Sequence, residues 1–354
     1  MKAIRMAPKG GSVSPGEHMF DLRWWGYLDY QMRSKHGGTR QAATKSRGMR
    51  RDVVQLLALC ELNLVDWSLI AREASRYGVA PLLSGTISER RASDKNRRGL
   101  RRAIDIGLST MEMRRRLRTW LDAGLSLTTV LDEDYPINLR TISNLPPFLF
   151  YRGNLRHDDA RSVAVVGTRE PTADGITRAR NMARSLAERC VTVLSGLARG
   201  IDTVAHEATL AAHGRTIAVL GSGLLNVYPP ENAELAERIA RSGAVVSQFF
   251  PEAPPTRYSF PMRNVVTSGM GQGTVVIEAS ATSGAKMQAR LALEHGKQVF
   301  LVHSLVESYD WAKAYVQRGA IDVQSVDDVI ARLRSVDALR NATAQQRSLA
   351  LQFA

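Results

Sequence analysis

Between Asp52 and Trp120 apolar residues recur at steps of three and four, as in VVQLLALCELNLVDWSLIAREASRYG, which is the spacing of helices with one buried face. The Arg-heavy stretch ERRASDKNRRGLRRAIDIGLSTMEMRRRLRTW keeps that period, so residues 51–120 are predicted to form a small all-helical domain. From Leu125 the pattern changes: SLTTVL is a short strand candidate, and DEDYPINLRTISNLPPFLFYRGNL, with Pro136, Pro146 and Pro147, reads as an ordered but irregular connector. Short Val/Ile-rich runs then follow, RSVAVVG, TVLSG, RTIAVLG, AVVSQF, GTVVIEA and KQVFLV, separated by amphipathic helical stretches. Strands alternating with helices predict an α/β fold with a doubly wound, mainly parallel sheet over residues 121–335, and place its ligand at the carboxyl ends of the strands. SVDDVIARLRSV reads as a closing helix, and residues 336–354 as a polar tail without a strand signal. Residues 1–50, rich in Gly, Ser, Lys and Arg with an aromatic patch from Phe20 to Tyr30, are expected to be a basic, partly disordered arm.

Charge sharpens this division. Residues 1–120 carry 24 Lys/Arg against 11 Asp/Glu, so +13 of the formal +14 lies there and the remaining 234 residues are nearly neutral. Lys and Arg that neutralise phosphates gain affinity by releasing condensed counterions, so a polyanion is the partner such a region suits. Cys60 and Cys190 lie far apart with no metal-ligand spacing around them, which supports neither a disulfide framework nor a metal site. No apolar run is long enough to cross a membrane, and the expected location is the cytoplasm.

Four strand-to-helix loops carry the candidate chemistry. In VAVVGTREPTADG, Gly167 ends a buried strand, and Thr168 and Arg169 follow where backbone N–H groups and a guanidinium can hold a phosphate. In SGLARGIDTVAHEATL, Ser195 ends a strand, Gly196 and Gly200 permit close backbone approach, Asp202 is a capping candidate, and His206 reads as a packed histidine rather than a base. In AVLGSGLLNVYPPENAEL, Gly221 and Gly223 form G-x-G, but Asn226 stands where a dinucleotide fingerprint has its last glycine, which disfavours NAD. The fourth loop offers the cations Arg257, Arg263 and Lys286, the rings Phe249, Phe250, Tyr258 and Phe260, and the amide of Asn264. Cations interleaved with rings make a single-strand platform, on which each stacked base is worth roughly 1–3 kcal/mol.

The ordered series YPINLRTISNLPPFLFYRGNL, VAVVGTRE, SGLARGIDTVAH, TIAVLGSGLLNVYP and FPMRN closely resembles the DprA/Smf DNA-processing family over roughly residues 55–330. The resemblance implies a helical N-terminal domain, an extended Rossmann-like sheet, binding of single-stranded DNA without sequence preference, and no cofactor. It further implies self-association as a homo-oligomer and delivery of a RecA-type recombinase to the strand. By matching positions it assigns DNA contacts to Thr168, Arg169, Ser195, Gly196, Phe260, Arg263, Asn264 and Lys286; Arg257 joins them from the loop's composition. The chain departs from the family pattern at Gln248, at Val265 in place of a second arginine after FPMRN, at His303 after the sixth strand, and in SGAKMQA around Lys286. No winged-helix segment is expected in the short tail. These departures leave the pathway open between natural transformation and a phage-defence or antitoxin role with a toxin or effector partner.

A second reading makes the chain an enzyme. GQGTVVIEA (Gly271 to Ala279) resembles a segment of LOG-type nucleotide phosphoribohydrolases, in which Glu278 would act at the ribose and Arg263 would grip the phosphate. With no second acid after Glu278 in that loop, the binding reading is preferred. Glu278 is then expected to accept hydrogen bonds from the start of the SGAKMQA helix.

Overall fold

In a computed structural model the described residues are 49–342. The basic arm and most of the polar tail expected from the sequence lie outside them.

Five helices come first: α1 (Arg51–Glu61), α2 (Trp67–Tyr77), α3 (Ala80–Leu83), α4 (Asp94–Ile106) and α5 (Thr110–Asp122). Helix α1 buries Val53, Val54 and Leu56 through Cys60, apolar almost all round, and so forms the centre of the helical layer. Helix α5 buries Met113, Leu117, Trp120 and Leu121 on one side and turns Arg115 and Arg118 outward, while half-buried Arg116 lies 4.9 Å from the Trp120 ring and pairs with Glu61.

The rest of the chain builds a nine-stranded sheet: β1 (Ser126–Thr129), β2 (Phe148–Gly153), β3 (Ser162–Val166), β4 (Thr192–Ser195), β5 (Thr216–Val219), β6 (Ala244–Ser247), β7 (Gly273–Val276), β8 (Gln298–Val302) and β9 (Ile321–Val323). The spatial order is β1-β2-β6-β5-β4-β3-β7-β8-β9. From β6 to β9 the sheet is parallel, with β3 at its centre; β2 pairs antiparallel with β6, placing Phe150 opposite Ser247, and β1 pairs antiparallel with β2. The crossovers are α6 (Ala173–Glu188), α7 (Ile201–Ala211), α8 (Ala233–Ser242), α9 (Ser259–Met270) and α10 (Gly284–Glu294), with α11 (His303–Ser308), α12 (Asp310–Gln317) and α13 (Val326–Ile330) at the β8–β9 end. The chain winds from β3 out to β6, then crosses back to β7 on the other side of β3. The β3/β7 boundary is therefore the topological switch point, where a crevice opens beyond the strand ends.

Two strands escaped the sequence pattern. The stretch FLFYRG, expected within an irregular connector, is β2; Phe148, Leu149, Phe150 and Tyr151 are all buried, so the strand shows no polar alternation. It is covered by α8 on one side and by the aromatic cluster under the helical layer on the other. Strand β9 is three residues long with Asp322 in the middle, too short for a periodic signal.

The helical layer docks on the sheet through rings. Trp67 lies 5.1 Å from Phe148 and Trp120 lies 5.3 Å from Phe150, while Phe250 sits 5.1 Å from Phe148 and 6.0 Å from Trp120. Such pairs are worth roughly 0.5–1.5 kcal/mol each beyond their area. Both indoles are hydrogen-bonded, Trp67 Nε1 donating to the Cys60 carbonyl at 3.0 Å and Trp120 Nε1 to the Glu252 carboxylate. Phe250, counted from the sequence among the base-stacking rings, belongs to this cluster and is spent on packing.

Trp120 is only 2% exposed. Replacing it by alanine is expected to cost about 3–5 kcal/mol of unfolding free energy, measured by urea denaturation. A loss below about 1 kcal/mol would show that the ring cluster does not hold the two layers together.

Candidate nucleic-acid interface

A cavity of about 760 Å³ opens at the switch point, beyond the carboxyl ends of β3, β4, β5 and β7. Its walls come from Val166 to Arg169 after β3, Gly196, Ala198 and Asp202 after β4, Tyr228 after β5, residues between Pro255 and Thr267 in and before α9, and residues between Ser280 and Gln288 before and in α10. Helices α7 and α10 begin at this rim, Asp202 and Gly284 to Gln288 lining the cavity, so partial positive charge at their N-termini lies beside it.

The floor is a buried guanidinium. Arg263, 7% exposed, donates through Nη1 to the carbonyls of Gly196 and of Val219, the latter at 2.9 Å, and through Nε to Asn264 Oδ1 at 3.1 Å. A side chain at position 196 has no room: a Cβ there would fall 1.7 Å from Arg263 Nη1, so only glycine lets the arginine pass. Asp202, in the first turn of α7, accepts from the backbone N–H groups of Gly196 at 3.1 Å and Ala198 at 3.4 Å and ties down the same loop. Burial raises the Asp202 carboxyl above its usual range and pulls Arg263 below its own, each opposed by the charge of the other. Arg169 adds repulsion to Arg263 from above.

The rim is cationic and aromatic. The guanidinium of Arg169, exposed, stands 5.7 Å from the centre of the Phe260 ring, and the Tyr228 ring packs against Phe260 at 5.7 Å with a tilt of 54°. Arg257 stacks on Tyr258 at 4.7 Å, and Tyr258 is 66% exposed. Guanidinium over an exposed ring presents both a phosphate ligand and a stacking face to one incoming nucleotide.

Of the residues singled out from the sequence, Thr168, Arg169, Gly196, Arg257, Phe260, Arg263 and Asn264 line this cavity. Two do not. Ser195 is fully buried with its hydroxyl donating to the Val165 carbonyl at 2.7 Å, so the strand end faces it into the sheet. Lys286 turns away from the cavity and holds its ammonium 5.7 Å from the Trp311 ring. Glu278 also lies outside the lining, and the expected partner was incorrect. Its carboxylate accepts from the Thr172 hydroxyl at 2.9 Å and the Thr172 N–H at 3.2 Å, at the head of α6 and not of α10, whose cap is Ser283. Tyr228, reached across the loop after β5, was missed; only its aromatic character beside Pro229 and Pro230 could have marked it.

His206 is fully buried in α7 with Nδ1 2.7 Å from Thr216 Oγ1, a packing role. Burial, helped by the charge of Arg263, pushes its pKa down to about 3.

A family model described as DNA recombination-mediator protein A matches residues 126–334. The DNA processing protein DprA of Bacillus subtilis is 34% identical over 220 residues, which is 61% of this chain and 74% of that protein. Protein Smf of Escherichia coli K12 is 39% identical over 208 residues, 57% of this chain and 55% of its own length. The crystal structure of DprA from Streptococcus pneumoniae superposes with a TM-score of 0.64 at 30% identity, covering 79% of this chain and 98% of that one.

Because the native state cannot protonate His206 until about pH 3 while an unfolded histidine takes a proton near 6.5, the unfolded chain binds more protons between those values. Stability is expected to fall as pH drops through that window, and His206→Gln to flatten the fall. Urea midpoints measured from pH 7 to 4 check this; identical slopes in both proteins would mean the imidazole is accessible to protons.

Proposed function

The chain belongs to the DNA recombination-mediator protein A family, and from that premise we propose that the switch-point cavity binds single-stranded DNA through its phosphates and bases. The observation that carries the reading is the stacked arrangement of charge: exposed Arg169 lies over the Phe260 ring, with buried Arg263 repelling it from below. Asp202 offsets the charge of buried Arg263, whereas the exposed Arg169 guanidinium has no carboxylate partner among the described residues, so a phosphate at the rim meets an uncompensated cation while a base covers Tyr258 or Phe260. Arg263 acts mainly as a fixed positive floor, since its Nη1 is committed to two carbonyls. The ligand-facing contacts are Arg169, Arg257, Thr168, Asn264 and the rings. Single strands are favoured because a base reaches a ring only when it is unstacked from a duplex. Self-association and delivery of a RecA-type recombinase complete the proposal and rest on the family resemblance.

The hydrolase reading has less support. A carboxylate acting at a glycosidic bond needs free oxygens at the cavity, and those of Glu278 are occupied by Thr172.

Titration with single-stranded and double-stranded DNA at several salt concentrations, alongside an assay for base released from AMP, tests the proposal. Single strands are expected to bind more tightly, Arg169→Ala to weaken them by about 1.5–3 kcal/mol with an unchanged circular dichroism spectrum, and AMP to remain intact. Turnover of AMP abolished by Glu278→Gln, or unchanged affinity in Arg169→Ala, would overturn it.

A further inference from the structure

Away from the cavity, helix α4 and its lead-in carry a cationic face that nothing in the cavity's chemistry uses. Arg90, Arg91, Lys95, Arg98, Arg101 and Arg102 are all exposed, and none of them pairs with an acid among the described residues. The acids of the same stretch are Asp94 and Asp105 at the two ends of the helix and Glu89, which is taken by Arg72 at 2.9 Å. Some exposed helical arginines elsewhere are paired within one turn, Arg115 with Glu112, Arg178 with Asp174 and Arg290 with Glu294, while others such as Arg118, Arg180 and Arg238 stand singly; α4 differs in gathering its unpaired cations on one helix. On α4 the one-turn neighbours Lys95, Arg98, Arg101 and Arg102 repel, an arrangement that destabilises a free helix.

The face is nonetheless rigidly mounted. On the opposite side α4 buries Asn96, Leu100 and Ala103, and Gly99 lies so close to α2's lead-in that a Cβ would stand 1.9 Å from the Leu64 carbonyl. Asn96 and Asp66 exchange hydrogen bonds of 2.8 and 2.9 Å, and Ser93 caps the helix. The lead-in is fixed by buried Glu73, which accepts from the N–H groups of Ser88 and Glu89, and by Arg97 donating to the Glu89 carbonyl. Self-repelling charge on a pre-organised surface is relieved only by an external anion.

We propose that this face of α4 is a second nucleic-acid contact that holds the phosphate backbone. It rests on nucleic acid being the ligand of the cavity, and it adds a surface the cavity does not contain. Five of the six cations are arginine, whose fork matches phosphate oxygens in a bidentate way. No aromatic side chain lies between Glu89 and Asp105, so bases find nothing to stack on, and the contact is with the backbone alone. It is therefore indifferent to sequence and strongly salt-dependent, unlike the ring-lined cavity.

The test compares the full-length chain with its Arg98→Gln/Arg101→Gln/Arg102→Gln variant and with Arg169→Ala, after circular dichroism and melting show each to be folded. Affinities for a long and a short homopolymeric single strand are followed over a salt series. The triple variant is expected to lower the log–log salt slope on the long strand by about 2, from roughly 0.7 per lost phosphate contact, and to leave the short strand unchanged. An unaltered slope on the long strand overturns the inference; if Arg169→Ala still weakens binding, the cavity reading survives that failure. A lowered slope with Arg169→Ala silent upholds the α4 contact and removes the cavity. Loss of binding to polyglutamate in the triple variant, with DNA slopes intact, assigns the face to an acidic protein and overturns it as well.

Discussion

The buried guanidinium of Arg263 sets the geometry of the crevice. It reaches under the strand ends to the carbonyls of Gly196 and Val219, one after β4 and one at the end of β5. A buried charge survives only if it is paired and hydrogen-bonded, and removing one partner of such a set costs roughly 3–5 kcal/mol. Its requirements spread outward: glycine at 196, a carboxylate at 202 in the first turn of α7, and α9 running close enough to the sheet to deliver the side chain. The loops that line the cavity are fixed because they serve this cation first. Fixed loops in turn hold Arg169 and Phe260 at a defined separation.

Residues of one chemical type therefore divide their labour by depth. Arg263 is spent on carbonyls while Arg169 and Arg257 are exposed at the rim; Phe250 packs between the layers while Phe260 lines the crevice and Tyr258 stands exposed beside Arg257. Glu278 shows the same division among acids. At the end of β7 it braces Thr172, so the loop carrying Arg169 is held from both sides: the Glu278 carbonyl accepts from the Thr168 N–H at 2.7 Å, and its carboxylate holds the head of α6.

Much of this was legible in the sequence. The period change near Leu125, the six Val/Ile-rich runs and the small residues at their ends specify a doubly wound sheet and name the loops that meet at its switch point. What could not be read was direction. Matching to the family pattern picked Ser195 and Lys286 in the right loops, but a strand end can turn a hydroxyl into the sheet, and the first turn of a helix presents its side chains around a full circle, so Lys286 faces Trp311 while Gly284 and Met287 line the cavity. Likewise β2 lost its alternation because both of its faces are buried, and Phe250 looked like a stacking ring because loop aromatics and core aromatics are the same residues.

The departures from the family pattern have physical addresses too. Gln248 is 5% exposed with its Nε2 unpartnered, Val265 is half-buried against the core on the side of α9 away from the cavity, and His303 binds Asp322 at 2.9 Å with Glu307 at 3.3 Å near the β8–β9 edge. None of the three lines the cavity. The neighbouring carboxylates of Asp322 and Glu307 hold the His303 imidazole above its ordinary pKa, which favours its charged form at that edge. The pairs proposed to meet a ligand, Arg169 with Phe260 and Arg257 with Tyr258, are thus separate from these three positions, whereas the fourth departure, SGAKMQA, does reach the cavity through Ser283, Gly284, Ala285, Met287 and Gln288. Divergence at Gln248, Val265 and His303 therefore bears on packing and on the β8–β9 edge, and only the changed segment at the start of α10 bears on the lining of the crevice.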